Sequence, residues 1–157
     1  MQNRMKTHPL DGGEMEALLE RAEVAVLATL GADGAPYAVP VHFAWAGGKF
    51  YIHGLPAGEK VENILRDGRA CLTAYDMEGL LLPEEERPCD VNTAYESVVV
   101  KGRAVLVSDR EEKELALRAI VAKYTPQMAA AALPENMVAG TAVIRLDVAE
   151  MTGKYYR

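Results

Sequence analysis

The stretch KFYIHGLPAGEKVENIL, from Lys49 to Leu65, gathers the side chains best suited to chemistry. His53 ends an alternating segment, Gly54 and Gly58 leave the backbone bare, and Lys60 opens a helical pattern that also carries Asn63. These types suit an anion attached to a flat ring. Glycine lets a backbone approach a ligand closely. The first N–H groups of a helix have no partner within it and favour an anion, and the helix dipole adds about 0.3–1 kcal/mol for a surface charge there. Lys60 would add a full positive charge, and Asn63, one turn later, a further donor. The same spacing fits an ordinary strand–loop–helix connection with a solvated lysine, so spacing alone leaves both readings open. His53 is likewise either a structural strand-end histidine or a proton donor that titrates near neutrality.

Other candidates are weaker. His42, in VPVHFAW, should face opposite to Val41 and Phe43. Tyr95 and Ser97 share one strand face, with Thr93 just before them, and either bond a ring or line a half-polar sheet face. The acidic run Glu84–Glu86 reads as a solvated loop. Asp, Glu and His form no metal-ligand cluster, and no G-x-S-x-G or Walker pattern supports a hydrolase or an NTPase. Cys71 reads as a buried small hydrophobe and Cys89 as a loop thiol. Neither has zinc-type spacing, and two lone thiols fit a reducing compartment.

The elements that must position these residues follow from periodicity. Residues 1–10 are polar and read as loosely held. Asp11 with Glu14 forms a capping box for a helix whose face is Met15, Leu18, Leu19 and Ala22. VAVLATL is nearly all apolar and predicts a strand covered on both faces. YAVPVHFAW predicts a second strand, with Pro40 marking an edge or bulge. KFYIH is a third, and a short helix from Glu59 to Arg66 follows. ACLTAYD is a fourth, and residues 78–94 predict a long loop. YESVVVKGRAVLVS is a fifth strand, and Ser108 with Glu111 caps a helix whose face is Leu117, Ile120, Val121 and Tyr124. PQMAAAALPENMVAG holds a further turn of helix, and TAVIRLDVAEMTGK is the last strand. Close Gly and Asp turns imply hairpins, hence an antiparallel sheet. The reading is mainly β: a small six-stranded barrel with helices packed outside.

The chain has 157 residues, which fits one domain. Its net charge of −6 argues against general nucleic-acid binding and leaves room only for a local anion site. There is no apolar signal core and no run long enough to span a membrane, which predicts a cytoplasmic protein.

Taken in order, VAVLATLGADGAPYAVPVHFAW, FYIHGLPAGEKVENI, NTAYESVVVKGRAVLVSDREEK and TAVIRLDVAEMTGK resemble the FMN-binding split β-barrel proteins, the pyridoxamine 5′-phosphate oxidase-like group. The nitroimidazole-resistance (Nim) branch is the nearest in pattern, and the resemblance spans about residues 20–155. It implies a six-stranded split β-barrel and a homodimer with FMN in a groove between the barrels. Val39, Pro40, Val41 and His42 would contact the flavin, with His53 and Gly54 opposite. The family's glycine-x-lysine feature falls on Gly58 and Lys60, which places Lys60 on the FMN phosphate. Ser97 would be a further contact, and Thr93 and Tyr95 would reach the partner's flavin. In the Nim branch a histidine at the position of His53 lies beside the bound ligand, which makes His53 the catalytic candidate. That branch has an aromatic residue where this chain has Ile52. The basic residues that hold a second phosphate in pyridoxamine phosphate oxidases do not appear in MTGKYYR. The implied activity is an FMN-dependent reduction of a small acceptor such as a nitroimidazole. A flavin- or haem-binding module without turnover is the second reading, and a barrel that has lost its cofactor is the third.

Overall fold

The computed structural model describes residues 4–84 and 87–157. Helix α1 (Arg4–Thr7) and helix α2 (Gly12–Arg21) precede strand β1 (Ala25–Leu30). The capping box forms as the spacing demands. The Asp11 carboxylate accepts from the Glu14 N–H at 2.8 Å, and the Glu14 carboxylate accepts from the Asp11 N–H at 2.9 Å. The apolar face of α2 then buries Leu18 and Leu19 completely.

Strand β2 (Pro36–Val41), β3 (Ala44–Ala46) and β4 (Lys49–Gly54) follow, then helix α3 (Glu59–Arg66). The sheet continues with β5 (Arg69–Leu81), β6 (Asn92–Leu106) and, after helices α4 (Arg110–Tyr124) and α5 (Glu135–Gly140), β7 (Ala142–Tyr156). All pairings are antiparallel, in the order β2-β1-β5-β6-β7-β4-β3. The two edges of this sheet, β2 and β3, are joined only by His42 and Phe43. So short a link forces the edges together and rolls the sheet into a barrel with a split at His42. Phe43, wholly buried, plugs the core with Phe50, Ile52, Leu27, Leu72, Val98, Ile144 and Leu146.

The sheet has seven strands where the sequence predicts six. YAVPVHFAW breaks at His42–Phe43 into β2 and β3, because the chain must turn there from one sheet edge to the other. Pro40 sits on β2, at the sheet edge as expected, opposite Val26.

Five other expectations change. The loop expected over residues 78–94 is shorter, since β5 runs on to Leu81 and β6 starts at Asn92, with a bulge between Met77 and Gly79. The cap of α4 is Asp109, which accepts from the Glu112 N–H at 2.8 Å, rather than Ser108. Residues 4–10 are anchored: Met5 and Leu10 are buried, and Leu10 N–H donates to the Gly153 carbonyl. Strand β1 is covered on one face only, leaving Val26 43% exposed. Cys71 is half-buried on that same outer surface. Of the acidic run, Glu84 is exposed, while Glu85 and Glu86 lie outside the described residues.

A second bulge lies between Lys101 and Gly102. A Cβ on Gly102 would lie 2.0 Å from the Asp147 carbonyl oxygen, so only glycine lets the two strands cross there. Helix α4 is pinned against the barrel by Lys123, whose Nζ donates to the Leu19 carbonyl at 2.8 Å and lies 3.6 Å from the centre of the Phe43 ring.

Candidate functional site

The hairpin β3–β4 begins two residues after His42 and ends just past His53, and His42 lies near enough for its field to act on the His53 ring. His42 lies flat on Tyr124 of α4, with ring centres 4.5 Å apart and 22° between planes. Tyr124 is fixed in turn: its hydroxyl accepts from the Phe43 N–H at 3.0 Å and donates to the Glu23 carbonyl at 2.7 Å.

After β4 the chain passes Gly54 and turns into α3. Gly58, at φ +125°, is the N-cap and brings no capping side chain, so the first N–H groups of the helix stay available to an anion. That backbone conformation is one L side chains rarely adopt, which is why glycine stands there. Lys60 folds back over Gly54: a Cβ on Gly54 would lie 3.4 Å from the Lys60 Nζ and 3.5 Å from its Cε. Lys60 is half-buried and makes no ion pair with any described residue. Glu59 and Glu62, in the same turn, are exposed.

Partial burial, chiefly, and then the fields of His42 and Lys60 hold the His53 imidazole below its ordinary pKa, so the ring is mostly neutral at pH 7. One edge of His53 is exposed. The other borders a cavity of about 170 Å³ walled by Leu117, Ile120 and Val121 of α4 and by Leu133, Met137 and Val138. Thr141 is its second polar group.

The structure thus brings His42, His53, Gly54, Gly58 and Lys60 together. It does not add Asn63, which is buried, donates to the Thr29 hydroxyl at 3.1 Å and accepts from Arg66 at 2.8 Å. Its amide ties α3 to β1. Val39 and Val41 turn toward the core, while Pro40 is exposed. Thr93, Tyr95 and Ser97 lie elsewhere. Ser97 pairs with Lys154, eleven positions along β7 from Val143, the partner of His53; that is on the order of 35 Å of strand. Tyr95 packs beside Tyr75 with ring centres 5.8 Å apart. The Ser97 hydroxyl is buried and has no hydrogen-bond partner among the described residues.

Tyr124 and the cavity residues of α4 and α5 were not singled out as site residues from sequence. The closeness of His42 to His53 follows only from the fold.

A larger concavity lies elsewhere again. It is an open groove of about 780 Å³ on the outer sheet face, floored by Ala28, Leu30, Ala70, Cys71 and Val148. Of its rim cations, Arg69 pairs with Asp67 and Lys101 with Glu150, while Arg103 makes no ion pair with any described residue.

The sequence matches the profile of the pyridoxamine 5′-phosphate oxidase family over residues 11–155. The chain belongs to this family. Among curated proteins, none matches. Three solved structures define its neighbourhood. A proposed 5-nitroimidazole antibiotic resistance protein from Bacteroides thetaiotaomicron is 27% identical, covers 93% of this chain and 85% of its own, and superposes with a TM-score of 0.80. The flavocytochrome Anf3 from Azotobacter vinelandii is 25% identical over 99% of this chain and 72% of its own, with a TM-score of 0.84. A FAD- and haem-binding protein from Mycobacterium smegmatis is 19% identical over 94% of this chain and 72% of its own, with a TM-score of 0.83, and shares the fold. The architecture is therefore the split barrel of this family, mainly β with accessory helices. Among the described residues no helix is long and apolar enough to cross a membrane.

Proposed function

We propose that the chain is an FMN-binding flavoprotein that reduces a small-molecule acceptor, with a nitroimidazole as the type. The observation that carries this reading is Lys60, a cation with no ion pair among the described residues, folded over bare Gly54 at an uncapped helix N-terminus, beside His53. A single phosphate suits that arrangement: the N–H groups of α3 and the Lys60 ammonium supply donors and charge. FMN ends in one such phosphate.

A bound flavin would supply the electron-transfer chemistry. The chain's own residues do the rest. Gly54 leaves room for a ring against the backbone. His53, whose pKa is held below its ordinary value, offers a ring N–H as a hydrogen-bond donor to an acceptor oxygen. His42, held flat by Tyr124, fixes the other side of the split.

The active form in this reading is a homodimer. Strand β1 is apolar on both faces, yet its outer face is open; Val26 is 43%, Tyr75 52% and Met77 50% exposed on the same surface. A second copy laid on this surface would cover them and carry its Ser97, Thr93 and Tyr95 toward the first copy's flavin.

The histidine pair supports a second reading, a haem- or flavin-binding module without turnover. Imidazoles near the split are also the kind of ligand that haem iron takes, and the flavocytochrome Anf3 is a structural relative. Titrating the purified chain with FMN, FAD and haem separates the readings. Saturable binding of FMN with one site per chain is expected; binding of haem alone would replace the first reading by the second.

A further inference from the structure

The cavity behind His53 has a different chemistry from the phosphate side. It measures about 170 Å³, room for one small ring or a short branched group, and no charged side chain lines it. Its only polar groups are His53 and Thr141. The Thr141 hydroxyl already donates to the Met137 carbonyl at 2.7 Å, so only its lone pairs remain. Met137 forms the outer lip, 60% exposed, on an unbranched side chain that can adapt to what enters.

We propose that this cavity is the acceptor pocket: it takes the apolar, uncharged body of a small acceptor whose oxygen bonds to His53, and Met137 with Leu117 excludes charged acceptors. This rests on the reading that His53 faces the acceptor side of a bound flavin. A carboxylate placed there would lose water and gain no cation, since neither Lys60 nor any other cation lines the cavity. Selectivity thus comes from an unmatched charge rather than from a close fit.

The test uses the whole chain, with FMN added and without it. Nitrobenzene and 4-nitrobenzoate differ by one carboxylate. Binding of each is followed on the ring signals of His53 by NMR, which report on the cavity whether or not FMN is present. Nitrobenzene should bind at least about tenfold more tightly. The exposed lip tolerates Met137→Lys without loss of fold, and that variant should tighten 4-nitrobenzoate by about tenfold or more. Equal affinity of the two probes for the native chain, or an unchanged ratio in Met137→Lys, overturns the proposal. If FMN fails to bind while the probe preference holds, the cofactor reading falls and the pocket assignment stands.

Discussion

Replacing Lys60 with methionine removes one charge from an otherwise intact barrel. The stem is kept, and no ion pair is broken among the described residues, so folding stability should move by no more than about 0.5 kcal/mol. Against a phosphate the loss is larger. A charge-assisted hydrogen bond contributes about 1.5–3 kcal/mol, which corresponds to about 10–150-fold in Kd. Lys60 is only half-buried, which favours the lower part of that range. Flavin fluorescence quenching, titrated at two salt concentrations, reads both the affinity and its origin. The native chain should lose FMN affinity as salt rises, because a partly exposed ion pair is screened, and the variant should show a flatter dependence. Gly54→Ala gives an independent check. Its Cβ would rest in ordinary contact with the Lys60 Nζ at 3.4 Å and fill part of the space a ring would take against the backbone, so an intermediate loss of affinity is expected. An FMN affinity unchanged within about twofold in Lys60→Met would refute the phosphate assignment, since the smallest predicted loss is about tenfold.

Three further outcomes are expected. NMR titration should place the His53 pKa below 6.5, and Lys60→Met or His42→Gln should raise it toward that value; no change would show that their fields do not reach the ring. The sign for stability follows: because the folded pKa is depressed, the native ring binds protons less readily than the unfolded one, and stability falls as pH drops from 6.5 through the folded value. Glu96, buried between Arg21 and Arg157, ties α2 and the last residue to the barrel; Glu96→Ala should cost about 1–3 kcal/mol, or about 2–12 °C in Tm, and an unchanged melting curve would mean the clasp is idle. Val26→Asp should shift the sedimentation of the native chain from dimer to monomer by placing a charge on the open face of β1, while a native chain that is already monomeric would remove that face as an interface.

Much of the scaffold was legible in the sequence because it rests on local rules. The Asp11–Glu14 box, the Asp33-Gly34 turn and the span of α3 each depend on neighbours a few residues apart. What escaped was non-local. Nothing within YAVPVHFAW says that its ends belong to opposite edges of one sheet; that follows only from the closed order of all seven strands. Asn63 read as a ligand donor because its helical position is right, yet its side chain is taken by Thr29, thirty-four residues away. VAVLATL read as covered on both faces, and the outer face stands open in a single chain. Lys60, His53 and Gly54 were legible through their chemistry, while the closeness of His42 to His53 needed the fold. Tyr124 and Met137 lie some seventy or more residues from His53 along the chain and come to the site only through packing of α4 and α5.

The account stands most directly on whether this chain holds FMN through Lys60. The purified protein is offered FMN, freed of excess by gel filtration, and its absorption spectrum recorded beside that of Lys60→Met. The bands of oxidised flavin should stay with the native chain at one per protomer and be largely lost from the variant. A native chain that emerges colourless, or a variant that retains flavin as fully as the native chain, would contradict it.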